Sequence, residues 1–211
     1  MALADQLRLM VITDAALLKG RSVVDACRRA VAGGAGATMV QVRMKDAPPR
    51  DTLALARALV GALSVPVIVN DRVDVALAAG AAGAHLGQDD PPLDRLRPHL
   101  PHGFVLGISV GSPAEAARVG AWPADYWSVG PCFATGNKAD AGTPLGPEGF
   151  AALARLAPAG LPVIAIGGIT PANVGALAKA GAAGVAVIGA VWGGEANDPA
   201  AATRALRAAF A

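Results

Sequence analysis

What most constrains this chain is an alternation. Short apolar, β-branched runs closed by Gly, Asn, Asp or Pro recur along it, separated by stretches with Ala, Leu and Val at helical spacing. The pattern predicts strands at Leu7 to Thr13, Thr38 to Arg43, Val67 to Val69, Gly83 to Leu86, Phe104 to Ile108, Tyr126 to Val129, Val163 to Ile166 and Gly184 to Ile188. It predicts helices at Ser22 to Ala32, Arg50 to Leu63, Arg72 to Ala79, a short one after Pro92, Pro113 to Val119, Pro147 to Leu156, Pro171 to Ala180 and Pro199 to Phe210. Pro113, Pro171 and Pro199 suit a first turn, where the missing N–H has no helical acceptor anyway, and Gly33, Gly80, Gly120 and Gly181 suit left-handed caps. Strands this apolar have no face fit for water, which is how a parallel sheet covered on both sides reads. Eight β/α units within 211 residues match the small end of the (β/α)8 TIM barrel, an α/β fold in one domain spanning 1–211. A flavodoxin-like open sheet would leave three units over.

Composition excludes several classes. With 54% hydrophobic and 16% charged residues the chain is too apolar for disorder, so its 26 Gly and 16 Pro are expected to mark ordered turns. A net charge of +2 without a basic run gives no footprint for nucleic acid. Cys27 and Cys132 fit neither a metal spacing nor a disulfide framework, which favours reduced thiols and a cytoplasmic protein. Asp5 and Arg8 interrupt the N-terminal apolar stretch and no uncharged run reaches membrane-spanning length, so a soluble, unexported protein without membrane partners is expected. Whether it works as a homo-oligomer stays open.

In such a barrel chemistry collects at the C-terminal ends of the strands, and the polar residues of this chain fall there. They are Thr13 and Asp14; Gln41, Arg43 and Lys45; Asn70, Asp71 and Arg72; His85, Gln88, Asp89 and Asp90; Ser109; Thr135, Asn137 and Lys138; then the glycine-rich exits at Gly167, Gly168 and Gly189. Along QVRMK, alternation puts Gln41, Arg43 and Lys45 on one face, toward the barrel axis if Val40 and Val42 face the helices. Together with Lys138 they form a candidate anion site for a phosphate or diphosphate, against the alternative of ordinary solvated loop cations.

Asp71 and the Asp89, Asp90 pair lie beyond adjacent strands, a hard-oxygen set suited to a magnesium ion shared with substrate phosphates. Asp71 equally suits an N-cap before Arg72, and the other two a surface turn ahead of Pro91 and Pro92. The exits IGGIT and VIGAVWGG offer backbone N–H groups for a second phosphate, or else simple tight turns. His85, inside an apolar strand, reads as a core or rim histidine with a satisfied hydrogen bond rather than a catalytic one, and Trp122, Trp127 and Trp192 as packing.

The segments LRLMVITD, GATMVQVRMK, PVIVNDRVDVALAAGAAGAHLGQDD, LGISV, DYWSVGPCFATGNK, PVIAIGGIT and GVAVIGAV, in this order, resemble thiamine phosphate synthases over nearly the whole chain. The resemblance implies a transferase of thiamine biosynthesis that joins a hydroxymethylpyrimidine diphosphate to a thiazole phosphate or carboxythiazole phosphate. It implies a dissociative course: pyrophosphate leaves, a pyrimidine-methyl cation forms and the thiazole nitrogen attacks, with loss of carbon dioxide from the carboxylated substrate. Gln41, Arg43, Lys45, Asn70, Ser109 and Lys138 would hold the pyrimidine diphosphate, with Arg43, Lys45, Lys138 and Ser109 acting in catalysis. Asp71 and Asp90 would bind Mg2+, and Thr135, Asn137, Gly168, Ile188 and Gly189 the thiazole phosphate. Three positions depart from the family pattern: Met44 replaces Glu, Asn137 replaces Thr and Gly189 replaces Ser. The related thiazole tautomerases are the alternative enzyme, disfavoured by Ile108 and Gly111 where a histidine is expected and by the Asp89, Asp90 pair. A non-catalytic regulatory paralogue that binds thiamine precursors is the alternative from outside enzymology.

Overall fold

The computed structural model describes residues 2–136, 142–193 and 198–210. All eight expected strands form: β1 (Leu9–Ile12), β2 (Met39–Val42), β3 (Val67–Asn70), β4 (Gly83–Leu86), β5 (Val105–Val110), β6 (Tyr126–Val129), β7 (Val163–Ile166) and β8 (Gly184–Val187). They are parallel and close in chain order, with β8 pairing back onto β1 through Val11 and Val187. Around them lie α1 (Leu3–Gln6), α2 (Val23–Val31), α3 (Pro49–Ala62), α4 (Val73–Ala79), α5 (Leu93–Leu96), α6 (Pro113–Val119), α7 (Gly146–Ala154), α8 (Val174–Lys179), α9 (Gly189–Trp192) and α10 (Pro199–Phe210), with a 3-10 turn at Arg97–His99. None of the described helices is long and apolar enough to cross a membrane.

Strand alternation builds two cores. Val11, Val40, Val42, Val69, Ile108 and Val187 point outward and pack with helix residues such as Leu59, Phe150, Leu177 and Leu206. Met10, Met39, Ile68, Tyr126, Ile164 and Ala186 point inward and fill the barrel. Each fully buried Leu, Ile or Val contributes roughly 1.5 to 3 kcal/mol. That packing, more than intrinsic propensity, holds helices of only six to nine residues such as α2, α6 and α8. Leu3 of α1 packs against the inner cluster.

Local signals behave largely as expected. Ser22 and Ser112 cap α2 and α6 by accepting from the Asp25 and Glu115 N–H groups. Gly80 ends α4 in the left-handed region, but Gly120 remains right-handed at φ −58°, so it is no such cap. Helix α8 starts at Val174, not Pro171, because the Asn173 side chain accepts from Thr170 N–H and donates to the Gly168 carbonyl, holding the intervening residues in a turn. Two single-turn helices, α1 and α9, were not expected.

Candidate active site

The open, C-terminal end of the barrel holds a cavity of about 910 Å3. Strand register delivers its floor. Gln41 faces inward and lies 3.5 Å from Met10 Sδ, while Val40 and Val42 belong to the outer core, so the alternation expected along β2 holds. Met44, the residue that departs from the family pattern, packs on the helix side. One residue past β2, Arg43 reaches the cavity, and its backbone is fixed by the Thr13 hydroxyl, which accepts from Arg43 N–H at 2.9 Å and donates to Arg43 O at 3.1 Å. Asn70, Asp71, Asp90 and Ser109 complete this side. Lys45 lines an adjoining cavity of about 280 Å3 that shares Arg43, Asn70 and Asp71 with the larger one. Arg43 therefore borders both cavities, whereas Lys45 borders only the smaller one.

The two carboxylates differ in their restraint. Asp71 takes a left-handed backbone (φ +61°), and no side chain caps α4, whose N-cap position is Arg72, so the capping role open to Asp71 from sequence is not the one it plays. An Asp in that conformation is uncommon, and such residues concentrate at functional sites. Asp90 Oδ2 accepts from Gly87 N–H at 2.7 Å, which ties the carboxylate to the β4 exit and leaves its other oxygen for a ligand. Two carboxylates on one cavity, beside a region for an anion, suit a divalent ion that keeps water and takes substrate oxygens as its remaining ligands. Among the described residues no cluster of three or more His, Cys, Asp or Glu forms an all-protein cage. Asp89 lines the same cavity.

Across the cavity stand Thr135, Gly168, Ile188 and Gly189. Gly167 and Gly168 both have positive φ, +98° and +61°, and the space a side chain would fill is already taken by the β6 exit. A Cβ on Gly167 would lie 2.7 Å from Pro131 Cα, and one on Gly168 would meet the Ala134 carbonyl and come within 2.8 Å of Phe133 C. Phe133 N–H donates to Gly167 O at 3.0 Å. The glycines thus serve a turn and the close passage of a neighbouring loop, a packing reason beside any ligand reason. Past β8, Gly189 opens α9, whose Trp192 donates from Nε1 to Ile12 O at 2.6 Å and fastens the last exit to the first strand. Asn137 and Lys138 lie outside the described residues.

His85 is more connected than a core histidine needs to be. Its ring is buried, with Tyr126 Oη 2.8 Å from Nδ1 and Ser109 Oγ 2.9 Å from Nε2. Burial pulls its pKa from 6.5 down to about 4, which keeps the imidazole neutral, and burial likewise raises that of Tyr126. Gln88, on the β4 exit, donates from Nε2 to Ser109 O at 2.6 Å and steadies the same strand end. Thr13, Gln88 and Tyr126 carry no phosphate-binding signature in sequence; their part here comes from strand register. Cys27 and Cys132 are buried, with thiols pushed up to about 12 by desolvation, and are inert packing groups.

The comparisons with known proteins agree with one another. The family model for thiamine monophosphate synthase matches residues 9–191, most of the chain. The chain belongs to that family. It is 49% identical over 206 residues to the thiamine-phosphate synthase of Methanoculleus marisnigri, covering 94% of this chain and 93% of that protein. A second thiamine-phosphate synthase, from Roseiflexus castenholzii, is 48% identical over 199 residues, covering 93% and 85%. The solved thiamine phosphate pyrophosphorylase of Pyrococcus furiosus superposes with a TM-score of 0.86 at 36% identity, covering 99% of this chain and 98% of that one. A 3-hexulose-6-phosphate synthase structure, at 22% identity and a TM-score of 0.69, shares the barrel alone.

Proposed function

We propose that this member of the thiamine monophosphate synthase family is a transferase that joins hydroxymethylpyrimidine diphosphate to thiazole phosphate, yielding thiamine phosphate and pyrophosphate. The observation that carries this reading is the division of one cavity into a cationic and carboxylate side and a glycine-rich side, each suited to a phosphorylated ligand. On the first, Arg43, with Lys45 behind it and Lys138, hold the diphosphate, and Gln41 and Asn70 orient the pyrimidine. Ser109 donates to the diphosphate. Asp71 and Asp90 hold Mg2+, which when bound neutralises charge on the leaving group. On the second, Thr135 and Asn137 from the segment after β6 hold the thiazole phosphate together with Gly168, Ile188 and Gly189, from the loops after β7 and β8 where barrels of this kind commonly seat phosphate.

The demands of such a reaction are alignment and charge stabilisation. Bond breaking places negative charge on the departing pyrophosphate, where the fixed Arg43 and Ser109 donors stabilise it more than they do the intact substrate. The inner wall of Met10, Ile12 and Ala186 excludes water from the carbon that becomes electron-deficient, while the thiazole nitrogen, held from the opposite side, replaces the leaving group. Carboxylated thiazole phosphate is accommodated with loss of carbon dioxide. We place the protein in the cytoplasm, in keeping with two unpaired, buried thiols. The test is direct: pyrophosphate and thiamine phosphate should form together when both substrates and Mg2+ are supplied. Absence of both products would overturn the assignment.

A further inference from the structure

We propose that Tyr126 and His85 are positioning residues that fix the proton of the Ser109 hydroxyl, so that Ser109 meets a bound diphosphate as a hydrogen-bond donor. The proposal rests on the reading of the cavity above and adds to it a role for two residues: His85, which borders the cavity, and Tyr126, which stands behind it. It begins with a row across three strands. His85 on β4 is in register with Gly107 on β5, which is in register with Tyr126 on β6. Gly107 has no side chain, and a Cβ built there would clash with the phenol end of Tyr126. The ring therefore crosses β5 over the bare glycine and stacks beside His85, with centroids 5.5 Å apart and an interplanar angle of 29°. Ser109, two residues beyond Gly107 on the same face of β5, stands one layer closer to the cavity and closes the chain Tyr126 Oη, His85 Nδ1, His85 Nε2, Ser109 Oγ at 2.8 and 2.9 Å.

The direction of that chain follows from counting protons. Among the described residues His85 is the one side chain bonded to the Tyr126 hydroxyl, and Tyr126 is fully buried. If the hydroxyl accepted from Nδ1–H, its own proton would be left without an acceptor in an apolar interior, which is the costly arrangement. It therefore donates to Nδ1. A neutral imidazole that accepts at Nδ1 carries its proton on Nε2, and that proton goes to Ser109 Oγ. The Ser109 hydroxyl, accepting from within the barrel, directs its own proton toward the cavity. In the opposite tautomer Ser109 would donate inward and offer only lone pairs to an anion. The preference is set by burial before any ligand arrives, so no reorientation is needed at the moment charge develops.

Nitrogen-15 NMR of histidine-labelled protein reads the tautomer directly. His85 is one of three histidines in the chain; it is buried, whereas His99 and His102 are exposed, which separates its signals from theirs. The wild type should show His85 protonated at Nε2; protonation at Nδ1 overturns the proposal whether or not any variant folds. In kinetics, Tyr126→Phe keeps the ring over Gly107 and removes only the hydroxyl group, with the proton it donates to His85. It should lower kcat for pyrophosphate release about tenfold with the KM for thiazole phosphate unchanged. In a Ser109→Ala background the same change should do nothing further, because the effect passes through the serine; an equal loss in both backgrounds marks a packing role and overturns the proposal. A wild type that releases no pyrophosphate overturns the functional reading and removes the diphosphate as the recipient of the proton, while the tautomer decides the relay separately.

Discussion

Replacing Gly168 with Ala tests whether the β7 exit positions the thiazole phosphate side of the cavity. At φ +61° an L-residue costs about 1 to 2 kcal/mol. The added methyl would also press on the Ala134 carbonyl and lie 2.8 Å from Phe133 C and Cβ. Backbone cannot rotate aside as a side chain can, so the loop from Phe133 to Gly136 must retreat by roughly 1 Å, at about 1 to 3 kcal/mol of overpacking strain. Loss of conformational freedom in the unfolded chain returns about 0.4 to 1 kcal/mol. The net is about 1 to 5 kcal/mol, a fall in Tm of roughly 2 to 18 °C for a domain of this size. Because the retreating loop carries Thr135, a cavity residue, a displacement near 1 Å should also depress kcat/KM for thiazole phosphate by up to about a hundredfold. Calorimetry and steady-state kinetics with each substrate varied in turn measure both effects. An unchanged Tm together with an unchanged KM for thiazole phosphate would refute the packing argument; a defect confined to the pyrimidine substrate would refute the assignment of this side of the cavity.

Four further outcomes follow from the same geometry. Arg43→Ala should melt close to the parent, since its side chain is on the rim, and should lose roughly 10² to 10³ in kcat/KM for the diphosphate substrate; unfolding would make Arg43 structural. Gly189→Ser should lower the KM for thiazole phosphate about tenfold by adding one hydroxyl donor to a charged ligand, and a rise would move the phosphate elsewhere. Asp71→Asn should raise the Mg2+ concentration giving half-maximal rate, and excess chelator should abolish turnover; full wild-type activity in chelator refutes the metal. His85 titrates near 4 when folded and near 6.5 when unfolded, so the unfolded chain binds the extra proton between those values. Its contribution to stability is complete above about pH 6.5 and falls as pH drops toward 4, by up to about 3 kcal/mol; urea unfolding across this window should show a shallower slope for His85→Gln, and an identical slope refutes the buried, neutral assignment.

The fold was legible because its defining pattern is short-range. Strands β4, β6 and β7 begin and end where apolar runs meet Gly, Asp or Pro, and they match the expected ranges to the residue. What escaped is what periodicity cannot carry. Helices α1 and α9 are four residues each, one turn without a repeating face, and they are held by tertiary contacts, Leu3 packing on the inner core and Trp192 bonding to Ile12 O. Gly120 follows the last turn of α6 just as Gly80 follows α4, yet its backbone is right-handed, so the residue type permitted a cap that the local chain does not use. Pro171 suggested a helix start, but the Asn173 clamp delays α8 by a turn.

The rim of the site was legible for a related reason: a barrel sends the C-terminal end of every strand to one place, so Arg43, Asp71, Asp90 and Ser109 are found by position along their own strands. Their supports are found only across strands. Gly107 looks like a weak point in β5 when that strand is read alone, since glycine has nothing to pack; beside β6 it is the gap through which the Tyr126 ring reaches His85. The same holds for Gly167 and Gly168, whose missing side chains make room for the β6 exit as well as for the cavity. A glycine in a barrel strand is therefore best judged by the bulkiest residue in register on the next strand, and here that rule leads from a bare backbone position to the hydroxyl proton of Ser109.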